Sequence, residues 1–509
     1  MLSRLSSIKQ SSDWRSSFFW PIRYPELRER IKLWCDSYAD FCASNEAGDE
    51  FNLLILSSVL TIPETSKIIW LACVAHTFDE KFEELSSLQP SDFDKLAGVE
   101  NIKLASMKRK ARELTLNLPT LQTFGTFKKS KKLVISHNPI LRNAARNTPG
   151  LFCYHHASSI LQNQRHKCNK PPQVDNSKID RLVQTLEQSF VRSLDGISNQ
   201  IIKLARLKFR HFASYYLCGA EKDLFLLSDL KLNFDELWLG ATGYYPARLI
   251  ALHCKEKKLK TVSFDHGGST FMVKYPSNRY LLDVSVVDQL VLPNENAVRN
   301  FQGINANYFD KKLRLADVIP GFGDSYYTRV SKRQSQPPKR PIQALYPLTL
   351  LGGSRQNQPT LLPDLVVLDL QFTVIYWMHN LGLPAKVKPH PETNLDGLSQ
   401  HPLSPVAEVL NSPFEEIIHD AEIFIFDYAQ STTFWAALCT EKPVILIDTK
   451  ITEFDKETRD LIEHRCLVVD TKFDKRGRCI PNKDQFTKAV HRARSQIRFD
   501  AQPFIDLLS

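Results

Sequence analysis

Between residues 343 and 448, short apolar runs alternate with helical stretches, and each run stops at a polar or charged residue. Pro384–Lys388 stops at Pro389-His390-Pro391, Ile423–Phe426 at Asp427, and Pro443–Ile447 at Asp448. The stretches around them, Leu365–Leu381, Phe414–Asp420 and Thr432–Cys439, read as helices. Strands joined only through helices need crossover connections, and crossovers make a parallel sheet. The pattern therefore predicts a doubly wound α/β domain. Its first strand is Ala344–Leu350, and Tyr346-Pro347 near the middle marks that strand as short or at an edge.

A second pattern of the same kind lies upstream. Leu237–Gly240 reads as a strand, Tyr245–Lys258 as a helix, and Lys260–Phe264 as a strand that runs into Asp265-His266-Gly267-Gly268. This is a βαβ unit. The Pro/Gln-rich segment Val330–Ile342 between the two patterns reads as a linker. The expected architecture is α/β, with two Rossmann-type doubly wound domains facing a cleft and extra helical elements at the N-terminus. The boundaries are 1–330, a linker at 331–342, 343–485, and a C-terminal helix at 486–509. Within the N-terminal part, Asn52–Leu60 and Lys132–His137 read as β-rich runs. A helix starts at Asn176, capped by Asn176 or Ser177, with Ile179, Leu182, Val183, Leu186 and Phe190 on one face. A second helix spans Ile197–Tyr216.

Several function classes are excluded at this level. The 509 residues suffice for two to four domains at about 100–200 residues each. The ten cysteines form no C-x-x-C pair, so they read as core residues of a reducing compartment rather than zinc or redox sites. Residues 1–20 lack the apolar core of a secretory signal, and no apolar run reaches the ~18 residues of a membrane span. No Walker-type glycine loop is present. The net charge of +10 is partly clustered, at Lys108–Arg112, Lys128–Lys132 and Lys332–Arg340. No nucleic-acid motif accompanies it. The charge reads as a solvated surface, and peripheral contact with an anionic membrane fits it better than nucleic acid. The expected location is the cytoplasm, extending to the inner membrane face.

Three clusters fall at strand ends, where helix N-termini present unpaired N–H groups. In Gln430-Ser431-Thr432-Thr433, three hydroxyls stand at a helix start. One hydroxyl would be a plain N-cap; three in a row favour a phosphate site at Ser431, Thr432 and Thr433. In Lys386-Val387-Lys388-Pro389-His390-Pro391-Glu392, a strand delivers Lys388 and His390 to the same rim, and both can donate to phosphate oxygens. In Phe264-Asp265-His266-Gly267-Gly268, either Asp265 or His266 can deprotonate an attacking hydroxyl, and Gly267 and Gly268 let backbone approach a ligand closely. The alternative for this cluster is a tight turn with a capping Asp. No D-x-D pair suggests a metal site.

The pairing of Lys388-Pro389-His390-Pro391-Glu392 with the segment Ser431–Asp448 resembles the donor half of GT-B fold glycosyltransferases of bacterial surface-polysaccharide synthesis. Within these it is most similar to O-antigen and capsule enzymes, to Kdo and sialic-acid transferases with an H-P motif, and to the related CDP-glycerol glycerophosphotransferases. Phe264–Thr270 is similar to the H-G segment of the acceptor half. The resemblance covers motifs within residues 235–450. It implies that residues 1–330 form the acceptor side and 343–485 the donor side. It also implies that His390, Ser431 and Thr432 contact the donor phosphate, and that Asp265 or His266 lies beside the reacting hydroxyl. Two departures stand out. Phe434-Trp435-Ala436-Ala437 replaces a ribose-binding Glu common in relatives, and Asp265 stands where O-antigen relatives usually have Gln.

The function implied is a nucleotide-sugar-dependent glycosyltransferase. It would use a CMP-activated acidic sugar (Kdo or a nonulosonic acid), a glycan or lipid-linked acceptor, and no metal or other cofactor. The alternatives are a CDP-alditol phosphotransferase, a UDP-sugar transferase, and a non-catalytic scaffold that keeps the fold.

Overall fold

The computed structural model describes residues 14–16, 20, 22–44, 48–78, 82–98, 131–136, 138–167, 174–228, 230–267, 270–274, 277, 280–312, 316–332, 341–351, 362–393, 395, 398–496 and 498–509. Gly268, residues 333–340 of the expected linker, and most of the basic clusters fall outside them.

The chain divides into two compact units. One comprises residues 30–266 and 275–325; the other comprises 1–29, 267–274 and 326–509. The division differs from a single break at the Pro/Gln-rich segment. The described residues up to Glu29 group with the C-terminal sheet, and so do those of the short stretch 267–274. Hydrogen bonds within the C-terminal unit show why. Arg28 donates to the carbonyls of Lys450 and Ile451 and pairs with Glu453 at 2.9 Å. The Lys274 N–H donates to Glu453 O at 2.8 Å.

The N-terminal unit carries β1 (Lys131–Ser136), β2 (Leu151–Tyr154), β3 (Glu236–Leu239), β4 (Lys260–Phe264), β5 (Gln289–Leu292) and β6 (Asp317–Pro320). They form one parallel sheet in the order β2-β1-β3-β4-β5-β6. Val134, Trp238, Val262, Phe264 and Val291 of the strands pack on Ile140, Leu141 and Ala144 of the helix Pro139–Asn147. A helical layer joins this sheet, made of residues 30–44 of the helix Tyr24–Ser44 with Asp49–Thr77, Asn176–Arg192 and Asn199–Leu227. Its centre is aromatic: Trp34 meets Phe190 and Phe209 edge-on, at ring-centroid distances of 5.6 and 5.4 Å.

The expected strand at Asn52–Leu60 is instead the start of the 29-residue helix Asp49–Thr77. Pro63 inside the helix interrupts the apolar run in sequence without ending the helix. By length and composition alone that helix could cross a membrane, but 72% of the relevant stretch is buried within the protein. The cap of Asn176–Arg192 is Asp175, which accepts from Lys178 N, rather than Asn176 or Ser177. The following helix runs on to Leu227.

The C-terminal unit carries β7 (Ile342–Pro347), β8 (Ala385–Lys388), β9 (Glu408–Val409), β10 (Ala421–Phe426), β11 (Val444–Asp448), β12 (Leu467–Phe473) and β13 (Cys479–Pro481). The order is β13-β12-β11-β10-β7-β8-β9, and only β13 is antiparallel. Counted from β7 this is 3-2-1-4-5-6, the Rossmann-type order, with one added strand. β7 is central rather than at an edge, paired to β10 on one side and β8 on the other. Pro347 is tolerated because it is the last residue of the strand. The C-terminal tail is two helices, Lys483–Ser495 and Gln502–Leu508, rather than one.

Each sheet thus has a point where its chain order reverses, between β1 and β3 in one and between β7 and β10 in the other. The crevice outside the carboxyl ends of such strands is where open α/β sheets take ligands.

Candidate functional site

In the C-terminal unit the reversal point is marked by Asp427, the residue after β10. Its carboxylate is 4% exposed and accepts from Tyr346 Oη at 2.8 Å, from Gln371 Nε2 at 3.0 Å and from the Thr349 hydroxyl. Burial pushes its pKa above the usual carboxylate range, and the three donors act against that shift. The three donors come from β7, the residues after it, and the helix Asp364–Asn380, so Asp427 ties the strand-end loops together. A small recess beside it is lined by Thr349, Leu362, Asp427, Tyr428 and Ile451, among others.

Five residues after Asp427 the helix Thr432–Leu438 begins. Ser431 is its N-cap, with Oγ accepting from Phe434 N at 3.1 Å. Thr433 Oγ1 lies 3.0 Å from Ser431 Oγ, and Thr432 is exposed. The three hydroxyls therefore divide their work. Ser431 holds the helix start, Thr433 is bonded to Ser431, and Thr432 points outward beside first-turn N–H groups that helix bonding leaves unused. The next two positions of the helix are core. Phe434 and Trp435 are fully buried, Phe434 edge-on to Phe426 at 5.3 Å.

Across the strand order, β8 ends at Lys388. Its ammonium donates to Pro389 O at 2.9 Å, and partial burial lowers its pKa while Glu415 acts in the other direction. His390 follows. Its Nδ1 accepts from the Glu392 backbone N–H at 3.2 Å. A ring nitrogen that accepts is unprotonated, so the neutral ring carries its proton on Nε2.

Gly267 belongs to this same unit. Its φ is +95°, and a Cβ placed there would sit 2.9 Å from Thr432 Oγ1. Its carbonyl accepts from Tyr327 Oη at 3.3 Å. The structure therefore brings together Gly267 and Thr432, which stand 165 positions apart in the sequence.

Asp265 and His266 lie in the N-terminal unit, just after β4. Asp265 is 3% exposed and His266 is exposed. The Asp265 backbone is held on both sides: its N–H donates to Val291 O at 2.9 Å, and its carbonyl accepts from Asn138 Nδ2 at 2.8 Å. Asn138, Asp427, Thr349 and Tyr346 were not singled out by sequence reasoning. Asp427 carried a signal, as a lone acid closing an apolar strand; Asn138 carried one as an Asn-Pro pair after a strand, the mark of a capped helix start. Among the described residues, no group of three or more His, Cys, Asp or Glu is placed to hold a metal ion.

No protein-family model matches the chain, and no curated protein matches it. Among solved structures, the chain is similar to that of the wall teichoic acid polymerase TagF, at 10% identity and a TM-score of 0.28, over 74% of this chain and 88% of that one.

Proposed function

We propose that the protein is a transferase of cell-surface glycoconjugate synthesis that uses a cytidine-nucleotide donor and releases CMP. The observation that carries this reading is the arrangement in the C-terminal unit. A Rossmann-order sheet sets the Thr432–Thr433 helix start after Asp427 at its reversal point, and ends β8, on the far side of β7, at Lys388, two residues before His390. Cation, imidazole N–H, hydroxyl and backbone N–H donors on the rim of one sheet suit a departing phosphate. The motifs shared with cytidine-nucleotide transferases support the choice of nucleotide.

In the first form of the reaction, the donor is a CMP-activated acidic sugar. The acceptor oxygen attacks the anomeric carbon, the bond from that carbon to the phosphate oxygen breaks, and CMP leaves with the electron pair. Asp265 or His266 takes the acceptor proton. Lys388, His390 Nε2–H and the Ser431–Thr433 turn neutralise the leaving phosphate, and no metal is required. In the second form the donor is a CDP-alditol. The acceptor oxygen attacks the distal phosphorus, and CMP leaves by cleavage of the phosphoanhydride. The resemblance to CDP-glycerol glycerophosphotransferases favours keeping this form. Both forms make the same demand on the donor side. The acceptor is a glycan or a lipid-linked glycan, and the net charge of +10 suits an anionic membrane face.

The test is a thermal-shift panel with CMP, CDP, UMP, UDP and GDP, without added metal, followed by CMP release from a CMP-sugar and from CDP-glycerol. Binding to the folded state raises the midpoint. A shift with CMP or CDP that is lost in His390→Ala and Thr432→Ala supports the reading. A shift with UDP or GDP alone replaces cytidine by another nucleotide. No shift with any nucleotide overturns the enzyme reading and leaves a scaffold that keeps the fold.

A further inference from the structure

We infer that Asn138 is a positioning residue for the Asp265-His266 pair. The inference rests on the reading above, in which that pair accepts the acceptor's proton.

Asn138 stands at the reversal point of the N-terminal sheet, two residues beyond β1. Its side chain is 3% exposed and every part of the carboxamide is engaged. Oδ1 accepts from Leu141 N at 2.8 Å and caps the helix Pro139–Asn147. Nδ2 faces three carbonyls: Gly240 O at 2.8 Å, Phe264 O at 3.1 Å and Asp265 O at 2.8 Å. One amide group thus joins the ends of β1, β3 and β4.

The capping bond alone needs only an acceptor, and Ser, Thr or Asp would serve. The bonds to Gly240, Phe264 and Asp265 need donors on the same short side chain; a Ser or Thr hydroxyl carries a single O–H on the capping oxygen itself, whereas Asn sets a two-proton amide nitrogen beside a separate acceptor oxygen. Phe264 closes β4, in register with Val291, and Asp265 follows it; the carbonyls of both lie within hydrogen-bond distance of Asn138 Nδ2. Asn138 satisfies them and, with the Val291 carbonyl on the Asp265 N–H, fixes the peptide planes on both sides of Asp265. A base acts only when its proton-accepting atom is held within hydrogen-bond reach of the hydroxyl. Fixing the backbone at Asp265 fixes where the Asp265 and His266 side chains begin. Ser136 adds a parallel link, its Oγ accepting from Ala241 N at 3.0 Å, which keeps β1 and β3 joined without Asn138.

The test uses the full-length chain with Asn138→Ser, which keeps the cap oxygen but replaces the two-proton amide donor by a single O–H on a shorter side chain, and Asn138→Asp, which is isosteric and turns a carboxylate towards the three carbonyls. Backbone hydrogen exchange of the segment 262–267 reads the geometry without any activity. CMP release from the donor that the panel identifies reads the consequence. The expected result is faster exchange confined to that segment. With it comes a tenfold or larger fall in kcat, an unchanged donor KM and an unchanged CMP-induced midpoint shift. Combining Asn138→Ser with Asp265→Asn or His266→Ala, whichever lowers turnover, is expected to cost no more than the latter alone. Unchanged exchange overturns the inference, and so does full kcat while Asp265→Asn or His266→Ala lowers turnover. Additive losses in the double variants also overturn it, because they show Asn138 acting elsewhere. Full turnover in both Asp265→Asn and His266→Ala removes the base reading itself, and the positioning role falls with it; the exchange data still report whether the Asn138 bonds exist.

Discussion

Gly267 presents its bare Cα to Thr432 Oγ1, and a Cβ there would come within 2.9 Å of the hydroxyl. Its φ of +95° is also one that L side chains rarely adopt. Both facts demand glycine. Gly267→Ala is expected to lower stability by about 1–2 kcal/mol from backbone strain alone, and to push Thr432 aside. Adding Thr432→Ala removes the steric part and leaves the strain, so the two changes will be less than additive in urea unfolding. Simple additivity would mean that the two residues do not meet.

Asp427 makes the second case. Burial raises its pKa in the folded state relative to the unfolded chain. The sign follows from linkage: stability from this group is fully present below the ordinary Asp pKa and is lost as pH rises through the higher folded value. Asp427→Asn removes the ionisation and keeps the shape. The variant's stability relative to the natural protein is therefore expected to improve as pH climbs from about 4 towards neutrality. Urea unfolding of both proteins across that range checks it. A constant difference would show that Tyr346, Thr349 and Gln371 fully offset the cost of burying the charge.

Asp369 supplies a prediction about the first 29 residues. Its side chain has no exposure, and two arginines hold it. Arg478 binds both carboxylate oxygens at 2.8 Å, and Arg15, from the N-terminal segment, donates to Oδ1 at 2.8 Å. Removing one partner leaves buried charge less compensated. Arg478→Met is expected to cost about 3 kcal/mol, the lower end for a broken buried pair, because Arg15 remains. Arg15→Met is expected to cost less, about 1 kcal/mol, since Arg15 is itself 31% exposed. Equal losses from both would contradict the geometry.

The sequence makes some of this legible and hides the rest for physical reasons. β8, β10 and β11 are readable because buried parallel strands are short apolar runs that end where polar loops begin. β2 and β6 are not, because edge strands such as Leu151–Tyr154 and Asp317–Pro320 are half-exposed and lack an apolar signature. Asp49–Thr77 shows a strand-like run around Leu53 because a helix buried on most sides has no clear polar face to show its period. The expectation of a short or edge strand at Ala344–Leu350 rests on Pro347 lying inside it, whereas Pro347 closes β7, which is central. At the candidate site, the Ser431 cap follows from local pattern. Contacts such as Gly267 with Thr432, or Asn138 with Asp265, join distant segments through backbone atoms, and backbone carbonyls leave no mark on a sequence.

His390 gives the last prediction. Its Nδ1 is occupied by the Glu392 N–H, so the ring offers a donor through Nε2. If that proton binds the donor phosphate, the side chain needs a donor at the Nε2 position and not an imidazole as such. His390→Ala is expected to weaken CMP or CDP binding by roughly tenfold or more, the scale of a hydrogen bond to a charged group at about 1.5–3 kcal/mol. His390→Gln, whose amide nitrogen reaches a comparable position, is expected to recover much of that loss, and Lys388→Met is expected to lower affinity independently. Calorimetric titration of the four proteins with CMP separates the possibilities. Recovery by Gln assigns a hydrogen-bond donor role. Equal loss in Ala and Gln would assign His390 to shaping the Pro389–Pro391 turn, and the phosphate contact would then fall to Lys388 and Thr432.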